Sequence, residues 1–271
     1  MPRYSVLMSV YEKDKDIWLR QAIGSMVRQT LPPHEIVLVK DGALPASLEN
    51  EIERWTGEYP QLFHVLALEK NGGLANAMRL GVEECRCEWI ARMDADDISA
   101  PQRCEKELTE AVSFQADIVG CDCGEFIDTI EAPVSRRVFP QEHEALVAFS
   151  RRRTPFCHPA VMMKKAAVLQ AGNYQDLPYL EDYDLFVRML ANGAVGRTVK
   201  EELVYVRVGR DFYSRRGGAA YVKTLLAFNI QLLKSGWMSP KDFLLRSGGN
   251  VLVGLAPGPV RNVMYRRLLR K

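Results

Sequence analysis

The sequence predicts an α/β protein: a mostly parallel central sheet flanked by helices, extended at the C-terminus by a basic helical segment. Three observations predict it. Short apolar runs alternate with segments of helical periodicity through roughly the first 110 residues. The chain is 47% hydrophobic and 26% charged over 271 residues, the balance of a globular protein with a sizeable core. The last fifty residues look helical and are rich in arginine and lysine.

The elements follow in order. Ser5 to Val10 is an apolar strand, and from Asp16 to Gln29 Leu19, Ala22, Ile23, Met26 and Val27 recur at helical spacing. Glu35 to Val39 is a β-branched strand closed by Asp41-Gly42, a turn pair. Leu48, Ile52 and Trp55 mark a second helix, and Phe63 to Leu68 a third strand. Asn71-Gly72-Gly73 then breaks the chain before a helix carrying Leu74, Met78 and Val82, and Trp89 to Met93 is the fourth strand. Beyond Pro101 come a helix (Arg103 to Phe114), a strand (Asp117 to Cys121), an irregular stretch to about Arg153, a helix (Tyr183 to Ala191) and a strand (Glu202 to Val206). No linker-like tract divides these parts. The expected organisation is a catalytic domain over 1–215, with halves at about 1–110 and 111–215, and a helical basic extension over 216–271.

Several classes are disfavoured. A net charge of +2 nominates no nucleic-acid partner. The six cysteines lack the Cys-x2-Cys spacing of a zinc site and read as small hydrophobes in a reducing compartment. No G-x-G-x-x-G or P-loop pattern follows an early strand. The N-terminus has no signal-peptide layout, and no apolar run approaches the ~18 residues of a spanning helix, so the expected location is cytoplasmic.

In an open α/β sheet, ligands bind at the carboxyl ends of the parallel strands. Ser9-Val10-Tyr11, Asp41, Asn71-Gly72-Gly73 and Asp94-Ala95-Asp96-Asp97 all fall there. Three carboxylates in four residues repel one another, and a hard divalent cation with oxygen ligands relieves that repulsion. The alternative is that Asp97 or Ser99 caps the helix that follows Pro101, which accounts for one acid of the three. Asn71-Gly72-Gly73 would let backbone amides face a phosphate or sugar, although Asn-Gly is also ordinary turn chemistry. A second acidic group, Glu181-Asp182-Tyr183-Asp184, opens a helix whose dipole favours ionised Asp182. Asp182 is either a general base toward a hydroxyl or simply an acidic N-terminal residue. His158, between Pro155-Phe156 and Pro159, is a substrate contact or a packed histidine.

These residues resemble the family 2 glycosyltransferases, which have the GT-A fold, a Rossmann-like variant of this architecture. The resemblance rests on Ser5 to Tyr11, Gln29-Thr30, Glu35 to Gly42, Asn71 to Leu74 and Asp94 to Asp97, and it resumes at His158 to Met162 and Glu181 to Leu185. The ending, from Arg215-Arg216-Gly217-Gly218 through Pro257 to Leu268-Leu269-Arg270, is similar to a bacterial subgroup that builds capsule, exopolysaccharide and O-antigen units. The resemblance implies an inverting, Mn²⁺- or Mg²⁺-dependent transfer of a hexose from a UDP-sugar to a glycan or polyprenyl-diphosphate-linked acceptor. It implies that Ser9, Val10, Tyr11, Glu12, Asn71, Gly72, Gly73, Asn76 and Ala95 line the donor site, and that Asp41 reads the uracil ring. Asp96 and Asp94 match the metal-binding acids of the DXD motif, with Asp96 the more direct ligand. Asp182 matches the catalytic base with Glu181 beside it, and His158 and Arg207 match segments shaping the acceptor and phosphate side. Glu12, Lys40 and Gly209 depart from the common pattern, where asparagine, aspartate and histidine are usual.

Two rival readings are a sugar nucleotidyltransferase, which would open with a Gly-rich basic loop instead of Val10-Tyr11-Glu12-Lys13, and a non-catalytic nucleotide-sugar-binding scaffold, against which the intact Asp94, Asp96 and Asp182 speak. At the C-terminus, Leu225, Leu226, Phe228, Leu232 and Leu233, then Phe243 to Leu245 and Val251 to Leu255, precede Arg261, Arg266, Arg267, Arg270 and Lys271. This arrangement suits either peripheral contact with the inner face of an anionic membrane or a helix packed on the core with a solvated basic end.

Overall fold

The computed structural model describes residues 1–209 and 217–257. Its elements are β1 (Tyr4–Val10), α1 (Asp16–Val27), β2 (Glu35–Lys40), α2 (Ala46–Glu58), β3 (Phe63–Ala67), α3 (Leu74–Glu84), β4 (Trp89–Asp94), β5 (Ile98–Ser99) and α4 (Arg103–Ser113). There follow β6 (Ile118–Phe126), β7 (Ser135–Arg137), α5 (His143–Ser150), β8 (Val161–Lys164), α6 (Lys165–Gln170), α7 (Glu181–Ala191), β9 (Gly196–Arg207), α8 (Ala219–Lys234) and α9 (Pro240–Leu255). One sheet runs β3-β2-β1-β4-β8-β6-β9-β5, with β7 paired to β6. Its first four strands are parallel, β8 is antiparallel to both β4 and β6, and β6 and β9 are parallel again.

Strand alternation builds the two layers. Tyr4, Val6, Met8 and Val10 of β1 pack beneath α1, α2 and α4, together with Leu19, Ile23, Leu48, Trp55 and Leu108. Leu7 points to the other face, where Val37, Val39 and Ile90 meet Met78 of α3 and Phe186 and Met189 of α7. Gly81 lets α3 approach, since a Cβ there would lie 2.3 Å from Leu7 Cδ1. The strand order reverses between β1 and β4, so the carboxyl ends of these neighbours, Ser9 opposite Asp94, flank the crevice where open sheets take ligands.

The second half holds more structure than its sequence announces. β6 continues past Cys121 to Phe126 because its inward acids are satisfied. Asp122 accepts the Phe139 N–H at 2.9 Å and pairs with Lys200, and Glu125 pairs with Arg137 at 2.6 Å. β9 begins at Gly196, six residues before the expected start at Glu202, crossing Lys200-Glu201-Glu202 through register shifts opposite Asp122. The expected irregular stretch carries β7 and α5. At the C-terminus Leu225, Phe228 and Leu232 of α8, and Met238 after it, pack against Leu180, Tyr183 and Val187 at α7, with Phe243 of α9 against the same cluster. Arg215, Arg216, Arg261, Arg266, Arg267, Arg270 and Lys271 lie outside the described residues.

Candidate active site

The acids closing β4 stand together: carboxylate oxygens of Asp94, Asp96 and Asp97 lie within 4.8 Å of one another. Strand periodicity explains what holds them. Ala91 and Met93 face the α1–α4 layer, whereas Arg92 and Asp94 share the opposite face with Ile90. Arg92 is fully buried and pairs with Asp94 at 2.5 Å. Asp97 Oδ1 accepts the Arg207 N–H at 2.8 Å, and Arg207 Nε donates to the Asp96 carbonyl at 2.9 Å. Arg207, at the end of β9, also donates to Gln21 and lies against Trp18 and Phe126. Neither Asp97 nor Ser99 caps α4, whose N-cap is Gln102 without a side-chain bond. The capping alternative is therefore not realised.

The electrostatics are those of a cluster short of positive charge. Burial, then the neighbouring Asp94 and Asp14, push the Asp96 carboxyl up to about 7. Asp97 is driven well above the carboxylate range by burial and by Asp94 and Asp96. Among the described residues Asp97 Oδ2 and the Nε and Nη1 of Arg92 find no hydrogen-bond partner though buried, a costly state that a ligand would relieve. Asp14 belongs here too. It accepts the Tyr11 N–H at 3.0 Å and is raised to about 6 by burial, an effect the Asp94 charge reinforces.

The second acidic group reaches the same centre. Glu181 and Asp182 open α7, and Asp182 Oδ1 accepts the Tyr183 N–H at 2.7 Å. Glu181 is raised to about 7 by burial and by Asp182, and it feels Arg92 and Asp94 across the cleft. Tyr174 interacts with Arg92, Asp182, Glu181 and Asp94, and its hydroxyl meets His158 Nε2 at 2.9 Å. His158 is 9% exposed and held well below the usual histidine range by burial and by Arg92, so it stands as a neutral support behind the arginine. Asp184 turns inward to Arg188 at 2.7 Å.

Asp41 forms a separate cluster at the end of β2. Its backbone N–H donates to the Val10 carbonyl at 2.8 Å, and its oxygens accept the Gly72 and Gly73 amides at 2.7 and 3.0 Å. Those amides, expected to face a phosphate or sugar, are instead bonded to Asp41, because a buried carboxylate claims the nearest donors. Each carboxylate oxygen keeps a second lone pair for a ring N–H. Gly42 has φ 89°, and a Cβ there would sit 2.7 Å from the Asn71 nitrogen. Asn76 lies behind Gly72 and accepts from Arg79 at 3.1 Å. Ser9 is half-buried opposite Asp94, Ala95 is buried, and Glu12 is exposed.

Sequence reasoning missed Arg92, Asp14 and Tyr174. For Arg92 a signal existed: a lone cation in a buried strand, two residues before an acid and so on its face.

A parallel half-sheet with acids at its reversal and a mixed second half is the arrangement of the GT-A fold. The fold matches a mannosyltransferase from Pyrobaculum calidifontis, solved with GDP-Man and Mn²⁺, with a TM-score of 0.68 at 17% identity over 96% of this chain and 72% of that one. It also matches S. aureus TarS 1-349 in complex with UDP-GlcNAc, with a TM-score of 0.66 at 14% identity over 85% of this chain and 66% of that one. The chain belongs to glycosyl transferase family 2, whose model matches residues 5–170. Among its relatives, the amylovoran biosynthesis glycosyltransferase AmsE of Erwinia amylovora is 34% identical over 269 residues, 97% of this chain and 98% of AmsE. An Escherichia coli UDP-Gal:alpha-D-GlcNAc-diphosphoundecaprenol beta-1,3-galactosyltransferase is 29% identical over 273 residues, 100% of this chain and 98% of that relative.

Proposed function

We propose that this chain is an inverting, divalent-cation-dependent hexosyltransferase of bacterial surface-polysaccharide assembly. It would move a hexose from a UDP-sugar to a hydroxyl of a glycan or polyprenyl-diphosphate-linked acceptor. The observation that carries this reading is the convergence of two acidic clusters on one buried arginine: Asp94 pairs with Arg92, and Glu181 feels both. The all-oxygen donor set, the unpartnered Asp97 Oδ2 and the raised Asp96 fit a hard cation such as Mn²⁺ or Mg²⁺. Asp96 and Asp94 would hold it, and when bound it supplies Lewis-acid neutralisation of the diphosphate leaving group.

The chain's own residues do the rest. Asp41, braced by the Gly72 and Gly73 amides, accepts from the uracil ring beside Ser9, Val10 and Tyr11. Arg92 holds Asp94 in place, and Arg207 ties the acidic loop to the end of β9. Asp182 takes the proton from the acceptor hydroxyl as that oxygen attacks the anomeric carbon from the face opposite the diphosphate. One displacement inverts the configuration, so an α-linked donor yields a β-linked product. Residues 1–215 would form the catalytic unit and 216–271 an accessory one. The names of the relatives support the donor and acceptor classes: UDP-Gal and a diphosphoundecaprenol-linked sugar for the E. coli protein. Among the described residues no helix is long and apolar enough to cross a membrane, which is compatible with action at the inner membrane face.

The test is transfer from UDP-galactose and UDP-glucose, with Mn²⁺, to a lipid-diphosphate-linked acetylhexosamine, the product linkage being read by NMR. A β-linked disaccharide is expected. An α-linked product would remove the inverting mechanism, and transfer from GDP- or dTDP-sugars alone would remove the UDP assignment.

A further inference from the structure

Among the described residues nothing covers the outer face of α9. Lys241, Leu244, Leu245, Gly248, Gly249, Leu252 and Leu255 recur at three- and four-residue spacing, and all are exposed. Leu244 and Leu252 are each 70% exposed, and Leu245 and Leu255 each 58%. Four exposed leucines on one helical stripe form a surface that water tolerates poorly. The stripe itself carries no acid, since Asp242, the one acid of α9, is turned inward to Ser239 and Arg152.

Charge selects the occupant. Beyond residue 216 the sequence holds nine of the 36 lysines and arginines but one of the 34 acids, so this end carries +8 and the preceding part −6. Five of those cations and no acid fall within residues 258–271, directly after α9. A second copy of the chain would bring like charge against like, whereas an anionic bilayer offers both an apolar interior and a compensating charge.

We propose that this stripe of α9 docks on an anionic lipid surface and holds the mouth of the site there. The inner side of α9 supplies the link. Arg246 lies 4.4 Å over the ring of Tyr183 and donates to its hydroxyl, and Tyr183 follows Asp182 directly. The same hydroxyl donates to the Ser150 carbonyl at 2.6 Å, whose side chain accepts from Trp237 at 3.0 Å. The helix that carries the stripe thus touches Tyr183, the residue next to the proposed base. The proposal rests on a lipid-linked acceptor for its purpose, but not for its test.

Full-length chain is floated with phosphatidylglycerol vesicles and with phosphatidylcholine vesicles, beside the double variant Leu244→Ser/Leu252→Ser. Both leucines are largely solvent-exposed, so the variant should keep its unfolding midpoint and its UDP-galactose binding. The expected result is flotation with the anionic vesicles, at least tenfold weaker with the zwitterionic ones and at least tenfold weaker for the variant. The proposal is overturned if the full chain stays at the bottom, if the variant floats like the parent, or if the substitutions split a dimer without changing flotation. Flotation by a chain that transfers no sugar would leave the surface standing and remove the proposed reaction. Transfer to a soluble acceptor without flotation would do the reverse.

Discussion

Asp182 and Glu181 are adjacent carboxylates in the first turn of one helix, yet their surroundings give them different work. Asp182 accepts the neighbouring Tyr183 amide, and the helix terminus favours its charge. Asp182→Asn should leave donor binding near that of the parent while turnover falls roughly 10²-fold or more, and single-turnover kinetics with pre-bound donor would measure it. Glu181 sits at about 7 through burial and the charge of Asp182, with Asp94 adding to the rise and Arg92 opposing it. A carboxyl raised in the fold stabilises it fully below the ordinary range near 4.5, and that contribution is lost as pH rises through 7. Glu181→Gln should therefore match the parent at pH ~4 and exceed it at pH ~8 by roughly 2–3 kcal/mol in urea unfolding without metal. An advantage that does not change with pH would contradict this. At this scale the acids were legible because three in four residues after an apolar strand have no ordinary structural use. Asp14 was not, because an acid between lysines reads as a solvated loop, and only the fold brings it toward Asp94.

The elements that carry the site are the ends of β1, β2 and β4 and the start of α7, and each was visible as an apolar run meeting a turn or an acidic start. The second half was less legible for a physical reason. β6 and β9 place Asp122, Glu125 and Lys200 in or beside the sheet, and polar residues neutralised by partners far along the chain erase the apolar period that marks a strand. The Asp41 turn offers a test at this scale. Gly42 combines a positive φ with a backbone nitrogen where a Cβ would go, so Gly42→Ala should cost about 1–3 kcal/mol of stability. It should also weaken uridine binding by moving Asn71 and the amides that brace Asp41. Unchanged stability by chemical denaturation would show that the turn is not held in this form.

Over the whole molecule, the fold gathers charge that the sequence spreads from residue 14 to residue 182: Asp14, Asp94, Asp96, Asp97, Glu181 and Asp182 around Arg92. Folding such a cluster without a cation is costly, so a cation that binds only the folded chain stabilises it. At a hundred times its dissociation constant, Mn²⁺ should add about 2.7 kcal/mol and raise Tm by roughly 5 °C or more. Asp96→Asn should abolish most of that shift while raising the metal-free Tm. The most direct measurement is calorimetric titration of UDP-galactose into the protein, once with Mn²⁺ and once in excess chelator. Binding at least tenfold tighter with Mn²⁺, lost in Asp96→Asn, is the predicted result. Equal affinity in the two buffers would mean that the acids of β4 do not serve to hold a cation against a diphosphate.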